Sequence, residues 1–349
     1  MPARELYGIC VSVLNQRYGI DVGLDVVEGS NLLPSIDKYN LSIKFNYRLA
    51  CLFRLFQAGN PDLIIKYFMM HKYMAYNMYD KAEKWIFEFG KSVGECTRPN
   101  DDSITYQVLF VLLHEYSHGL FSKNEERRST YCNQVRKYIS ELQKSDSGDV
   151  RETIIKEVPC ILRCIIRILG YDEMIRKNLG HLNEILINEK KTEEFACDLH
   201  AWNVLMEFLH HGGYSLKESA VISRYAVEAL YYLESYKLLD DCLSQKIDMT
   251  KAEAVASFDS CRYSLLAYHI LLYLEKEQKG LGLQFDGQFS ICQWNNQRPL
   301  IRMVSKYIYQ TLDLAEGASF PDSKRQKQLY AKICELEKLI IDTDNESVH

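Results

Sequence analysis

The stretch Val108-Leu-Phe-Val-Leu-Leu-His114-Glu115-Tyr-Ser-His118-Gly119 decides how the chain is read. It is apolar, free of proline and helical in pattern, yet it carries two histidines and a glutamate. On a helix, residues four apart share one face, one turn up. His114 and His118 can therefore offer two imidazole nitrogens to a single ion. Glu115 follows the first of them and leans to the side where a water on that ion would lie. It need not coordinate, and it can take a proton from that water and hand it on. Such polar groups near the apolar face of a helix are costly unless something satisfies them. With 9 His and 27 Glu in 349 residues, chance supplies His-Glu-x-x-His roughly 0.02 times if positions are independent.

Outward from this segment the chain reads as helical. Only 17 Gly and 7 Pro punctuate it, below the usual shares of about 7% and 5%. Asp102 or Ser103 caps a helix running to about residue 120. Residues 62–90 read as one largely unbroken helix, and 152–169 as another with Pro159 kinking it. Thr192 caps a helix to about 210. Ser215-Leu-Lys-Glu218 and Thr250-Lys-Ala-Glu253 fit the capping box and open helices to about 239 and 277. Residues 298–314 and 323–341 add two more. Strand signals are few. Leu41, Ile43, Phe45 and Tyr47 alternate with polar residues; residues 23–27 are their candidate partner across the turn-rich 29–34, and 285–293 is a weaker strand. The expected fold class is mainly α, with a minor β-hairpin or small sheet near the N-terminus. The expected organisation is a single catalytic domain over 1–321, with an inserted segment at 121–190. A C-terminal helix and frayed tail follow over 322–349.

Catalytic zinc takes three protein ligands and keeps one position open. Lys191-Thr-Glu193-Glu194-Phe-Ala-Cys-Asp198 supplies candidates. Glu194 and Asp198 lie four apart on one face, so one can reach the ion while the other accepts the free ring N–H of a ligating histidine. Glu193 rivals Glu194, its other reading being an exposed acid in the first helical turn. Asp198 as ligand, with Glu194 behind it, is a further option.

His-Glu-x-x-His followed by Glu-x-x-x-Asp on a second helix resembles the gluzincin metallopeptidases, over about 30 residues in two blocks. The resemblance implies Glu194 as third zinc ligand, Asp198 as the residue orienting His114, and one Zn²⁺ per chain. The metzincin pattern fails, because its Gly and third His would fall on Phe121 and Asn124. The 75 residues from Gly119 to Glu193 exceed the gap in many gluzincins, an insertion that shapes or covers the substrate cleft. Within the clan, Glu-Glu-x-Ala-x-Asp is faintly similar to the Lit phage-exclusion peptidases.

Composition limits the alternatives. The chain is 47% hydrophobic and 26% charged, which excludes a disordered chain. A net charge of −5 argues against a nucleic-acid partner. The longest stretches without Asp, Glu, Lys or Arg are 12 residues, 103–114 and 263–274, against about 18–20 for a membrane span. The start has no apolar run behind a basic segment, so no signal peptide is expected. Eleven cysteines without a Cys-x-x-Cys pair suit reduced thiols and a cytoplasmic location. His269, Tyr268, Tyr263 and Arg262, on one downstream helix, are candidates for stabilising an oxyanion. His200 points away from the Asp198 face, and Arg127–Arg128 reads as a solvated basic pair. The expected function is zinc-dependent hydrolysis of a cytosolic protein or peptide with Glu115 as general base. The alternative is a zinc-containing helical binding or effector module without hydrolysis.

Overall fold

The computed structural model describes residues 3–27, 33–46, 48–95, 102–146, 185–245, 257–282, 303–308, 310–312 and 321–341. Helix α1 (Ala3–Tyr18) leads into strands β1 (Gly23–Val26), β2 (Ser35–Asp37) and β3 (Ser42–Phe45). Helices α2 (Arg48–Ala58), α3 (Pro61–Ala75), α4 (Tyr79–Ser92), α5 (Asp102–Lys123) and α6 (Glu125–Asp146) follow. Then come α7 (Glu189–His211), α8 (Leu216–Gln245), α9 (Ser257–Glu277) and α10 (Ser323–Ile341). The fold is mainly α with one small sheet near the N-terminus.

Helix α5 is the axle. From Ser103 to Phe121 all but Thr105, Tyr106 and Glu115 are buried. A helix this apolar has no single inward stripe and must be covered all round. Helices α1, α2, α6, α7 and α8 and strands β2 and β3 do so. The sheet comes closest at Gly119, where an added Cβ would lie 2.5 Å from Ile36 Cδ1. The missing side chain lets β2 sit directly on the helix, one residue beyond His118.

The sheet order is β1-β3-β2. Ile43 and Phe45 are buried and Lys44 is exposed, the alternation a strand with one covered face requires. Residues 23–26 pair with β3, but in parallel, which corrects the hairpin expectation. The antiparallel neighbour is β2. The chain crosses from one edge to the other, then turns through residues 38–41 into the central strand. Asp37 secures that turn, its Oδ1 accepting from the backbone N–H of Tyr39 and Asn40.

Several helix assignments differ from expectation for local reasons. The 62–90 segment is two helices, because Asn77 adopts the left-handed region at φ 58° and folds α4 back onto α3. The cap of α7 is Asn188, whose Oδ1 accepts from Lys191 N; Thr192 is buried and donates instead to the Ile185 carbonyl at 2.8 Å. Helix α6 was not expected at all. Asn124 caps it, accepting from Arg127 N at 2.9 Å, and Cys132, Val135 and Ile139 form its buried stripe. The Ser215–Glu218 capping box forms reciprocally. Helix α10 spans residues 323–341 and packs on α2 and α4. The described cysteines, among them Cys10, Cys132 and Cys197, are free thiols. Among the described residues no helix is long and apolar enough to cross a membrane. The helix expected at 152–169, the strand at 285–293, the 250–253 capping box and the 342–349 tail lie outside the described residues.

Candidate metal centre

Helices α5 and α7 pack against each other and bring the two sequence blocks together. Ligand atoms of His114, His118 and Glu194 all lie within 4.8 Å of one another. The imidazoles meet edge to face, centroids 4.8 Å apart. Both turn Nε2 toward Glu194: His114 Nε2 lies 3.4 Å from Oε2 and His118 Nε2 lies 3.3 Å from Oε1. Two imidazoles and one carboxylate converging in this way form a donor set suited to a divalent transition metal.

Behind the ring atoms stand two further carboxylates. Asp198 Oδ1 is 2.8 Å from His114 Nδ1. Glu193 Oε1 is 3.1 Å from His118 Nδ1. Each carboxylate can hold its ring in the tautomer that leaves the Nε2 lone pair facing inward. Glu193 thus stands on the Nδ1 side of His118, away from the inward-facing Nε2, and is not an exposed acid; its side chain is 13% exposed. Lys38 Nζ reaches its Oε1 at 3.0 Å and Arg128 Nε its Oε2 at 2.9 Å. Sequence reasoning missed Lys38 and Arg128, and it treated the Arg127–Arg128 pair as solvated. The one available signal was the Glu193-Glu194 doublet, which needs a cation if both acids are covered.

Of the four oxyanion candidates, the structure brings Arg262 to the site. Its Nε and Nη2 bond Asp198 Oδ2 and Oδ1 at 2.8 and 2.7 Å, and Nη1 lies 3.4 Å from Glu194 Oε2. Tyr263 is buried against Tyr231, while the half-buried Tyr268 packs on Tyr138 and the half-buried His269 lies edge-on to Trp202 at 5.1 Å. His200 sits elsewhere again, Nδ1 2.8 Å from Ser117 Oγ and ring against Tyr131.

Electrostatics follow from this crowding. Burial pulls the His114 imidazole down, but Asp198 and Glu194 outweigh it and lift it to about 9. Burial pushes the Glu194 carboxyl up, but the two imidazoles and Arg262 outweigh it and hold it far below the ordinary range. Burial raises the Glu115 carboxyl, against the opposing pull of the imidazoles. A cavity of about 200 Å³ opens beside Glu115, His114, Glu194 and Arg262. Phe110, Val111, Leu230 and Leu233 give it an apolar wall, and Leu33 and Pro34, just ahead of β2, also line it.

No protein-family model matches the chain, and no curated protein or solved structure is significantly similar to it.

Proposed function

We propose that this chain is a zinc-dependent peptidase of the gluzincin type, acting on a cytosolic protein or peptide, with Glu115 as general base. The observation that carries the reading is the convergence of His114, His118 and a Glu194 carboxylate beside a cavity that His114, Glu194 and Glu115 line. Zinc bound there would supply Lewis acidity, polarising a carbonyl and lowering the pKa of a water toward about 7. The chain's own groups do the rest. Glu115 accepts a proton on its carboxylate as the water attacks the peptide carbonyl, and it returns that proton to the leaving nitrogen. Burial suits it to both tasks, since a base whose pKa is raised toward neutrality both accepts and releases a proton readily. Asp198 and Glu193 keep the two imidazoles turned inward. The apolar wall at Phe110, Val111, Leu230 and Leu233 offers a dry surface for a substrate side chain next to the reacting bond.

Elemental analysis of the purified chain is expected to give one zinc per molecule. Glu115→Gln should retain that zinc and lose hydrolysis by at least about 100-fold. Because the substrate is unidentified, the readout is the set of new protein termini in cells expressing the native chain against cells expressing Glu115→Gln. Equal zinc in both with no new termini from either would favour a non-hydrolytic zinc module. A chain that takes up no zinc would end the proposal.

A further inference from the structure

We infer that Arg262 is a positioning residue that presets the metal site by clamping both carboxylates of α7; the inference rests on the zinc reading above. Helix α9 delivers it from 64 residues beyond Asp198. The guanidinium meets Asp198 side-on with two parallel bonds, Nε to Oδ2 at 2.8 Å and Nη2 to Oδ1 at 2.7 Å. This is the planar fork that arginine makes with a carboxylate and lysine cannot. Its other nitrogen, Nη1, reaches Glu194 Oε2 at 3.4 Å. Asp198 and Glu194 stand one turn apart on α7, so a single guanidinium spans the proposed ligand and the group that orients the first histidine.

The need for such a clamp follows from burial. Asp198 is 1% exposed, and a buried carboxylate held by an imidazole N–H alone is poorly compensated. Arg262 satisfies Oδ2 entirely and shares Oδ1 with His114 Nδ1. With both oxygens pinned, Asp198 cannot swing away from the ring, and the ring cannot rotate its Nε2 out of line with Glu194. Glu194 faces His114 and Arg262 through the same Oε2, 3.4 Å from each, and these two groups draw it toward the ligating direction before any ion arrives. The donors turned on these two carboxylates give Arg262 a role in building the site rather than in receiving the substrate's oxyanion.

The test compares zinc affinity by chelator competition, and the visible absorption of the Co²⁺-loaded protein, for the native chain and for Arg262→Lys, Arg262→Gln, Asp198→Asn and the Arg262→Gln/Asp198→Asn double variant. Thermal unfolding monitors the fold. Arg262→Lys keeps the charge and loses the fork. It is expected to weaken zinc binding about 10-fold, and Arg262→Gln about 10- to 100-fold, as for loss of a partner behind a ligand. Because Arg262 acts chiefly through Asp198, the double variant should bind about as weakly as Asp198→Asn alone. If Arg262→Gln does not fold, Arg262→Lys alone decides. Native zinc affinity in Arg262→Lys, or losses that multiply fully in the double variant, would overturn the inference while leaving the zinc reading intact. Absence of zinc from the native chain would overturn both.

Discussion

Glu193 divides its two oxygens among His118, Lys38 and Arg128. The bond from His118 comes first, with Lys38 and Arg128 behind it, and together they hold its carboxyl well below the usual range. Glu193→Gln keeps an acceptor but removes the charge these three groups answer. Zinc affinity should fall about tenfold, measured by the same chelator competition; unchanged affinity would show that His118 needs no anchor. Two other histidines contribute to the response to acid. Burial holds His269, beside Trp202 and Tyr138, at about 4, and His200 at about 3. An unfolded histidine titrates near about 6.5. As pH drops below that value the unfolded chain takes up protons that the folded chain refuses. Stability therefore declines from about pH 6.5 downward, by up to about 1.4 kcal/mol per pH unit for each histidine. The His269 share is complete near its folded value of about 4. Urea midpoints followed from pH 7 to 4 should trace that limb, and His269→Phe should make it shallower.

Asn77 separates α3 from α4 by adopting φ 58°, a region that costs most residues about 1–2 kcal/mol and that asparagine tolerates. Its Oδ1 also accepts from Tyr79 OH at 3.0 Å. Asn77→Ala should lower stability by about 1–2 kcal/mol, and Asn77→Gly by less, because glycine keeps the backbone at ease while losing the bond. Chemical denaturation of the two variants checks the ranking. The same junction marks where the sequence was legible. The apolar runs on either side of it read plainly as helix, but the break between them depends on one dihedral that no apolar pattern encodes. Helix α10 and the Ser215 cap were readable because local chemistry alone determines them. Helix α6 was hidden by its charges, since Cys132, Val135 and Ile139 amount to a stripe only once α7 is there to cover them. At the site, the His-Glu-x-x-His block could be read from spacing within one helix. Lys38 and Arg128 could not, because each reaches the site by a long-range contact; Arg262 was legible as a candidate, but its pairing with Asp198 and Glu194 was not.

At the scale of the whole molecule, a buried ion pair ties the last described helix, α10, to α2. Glu337 of α10 and Arg48 of α2 are 3% and 5% exposed, and Arg48 Nε donates to Glu337 Oε2 at 2.9 Å. Tyr67 OH and His71 Nε2 meet the other oxygen at 3.1 and 3.2 Å. Removing one partner leaves the other charged in the interior. Glu337→Gln should therefore cost about 3–5 kcal/mol, whereas the exposed Glu335→Gln should stay within about 0.5 kcal/mol. Thermal or urea unfolding distinguishes them. The link from His118 through Glu193 to Lys38 joins residues 75 and 155 positions apart, and Arg262 lies 148 beyond His114. During synthesis the imidazole pair leaves the ribosome long before either acid that faces it, and longer still before the arginine that steadies those acids. On the zinc reading proposed above, a nascent chain carries two of the three donors until Glu194 emerges, so the full donor set exists only after α7 has been made and has docked on α5.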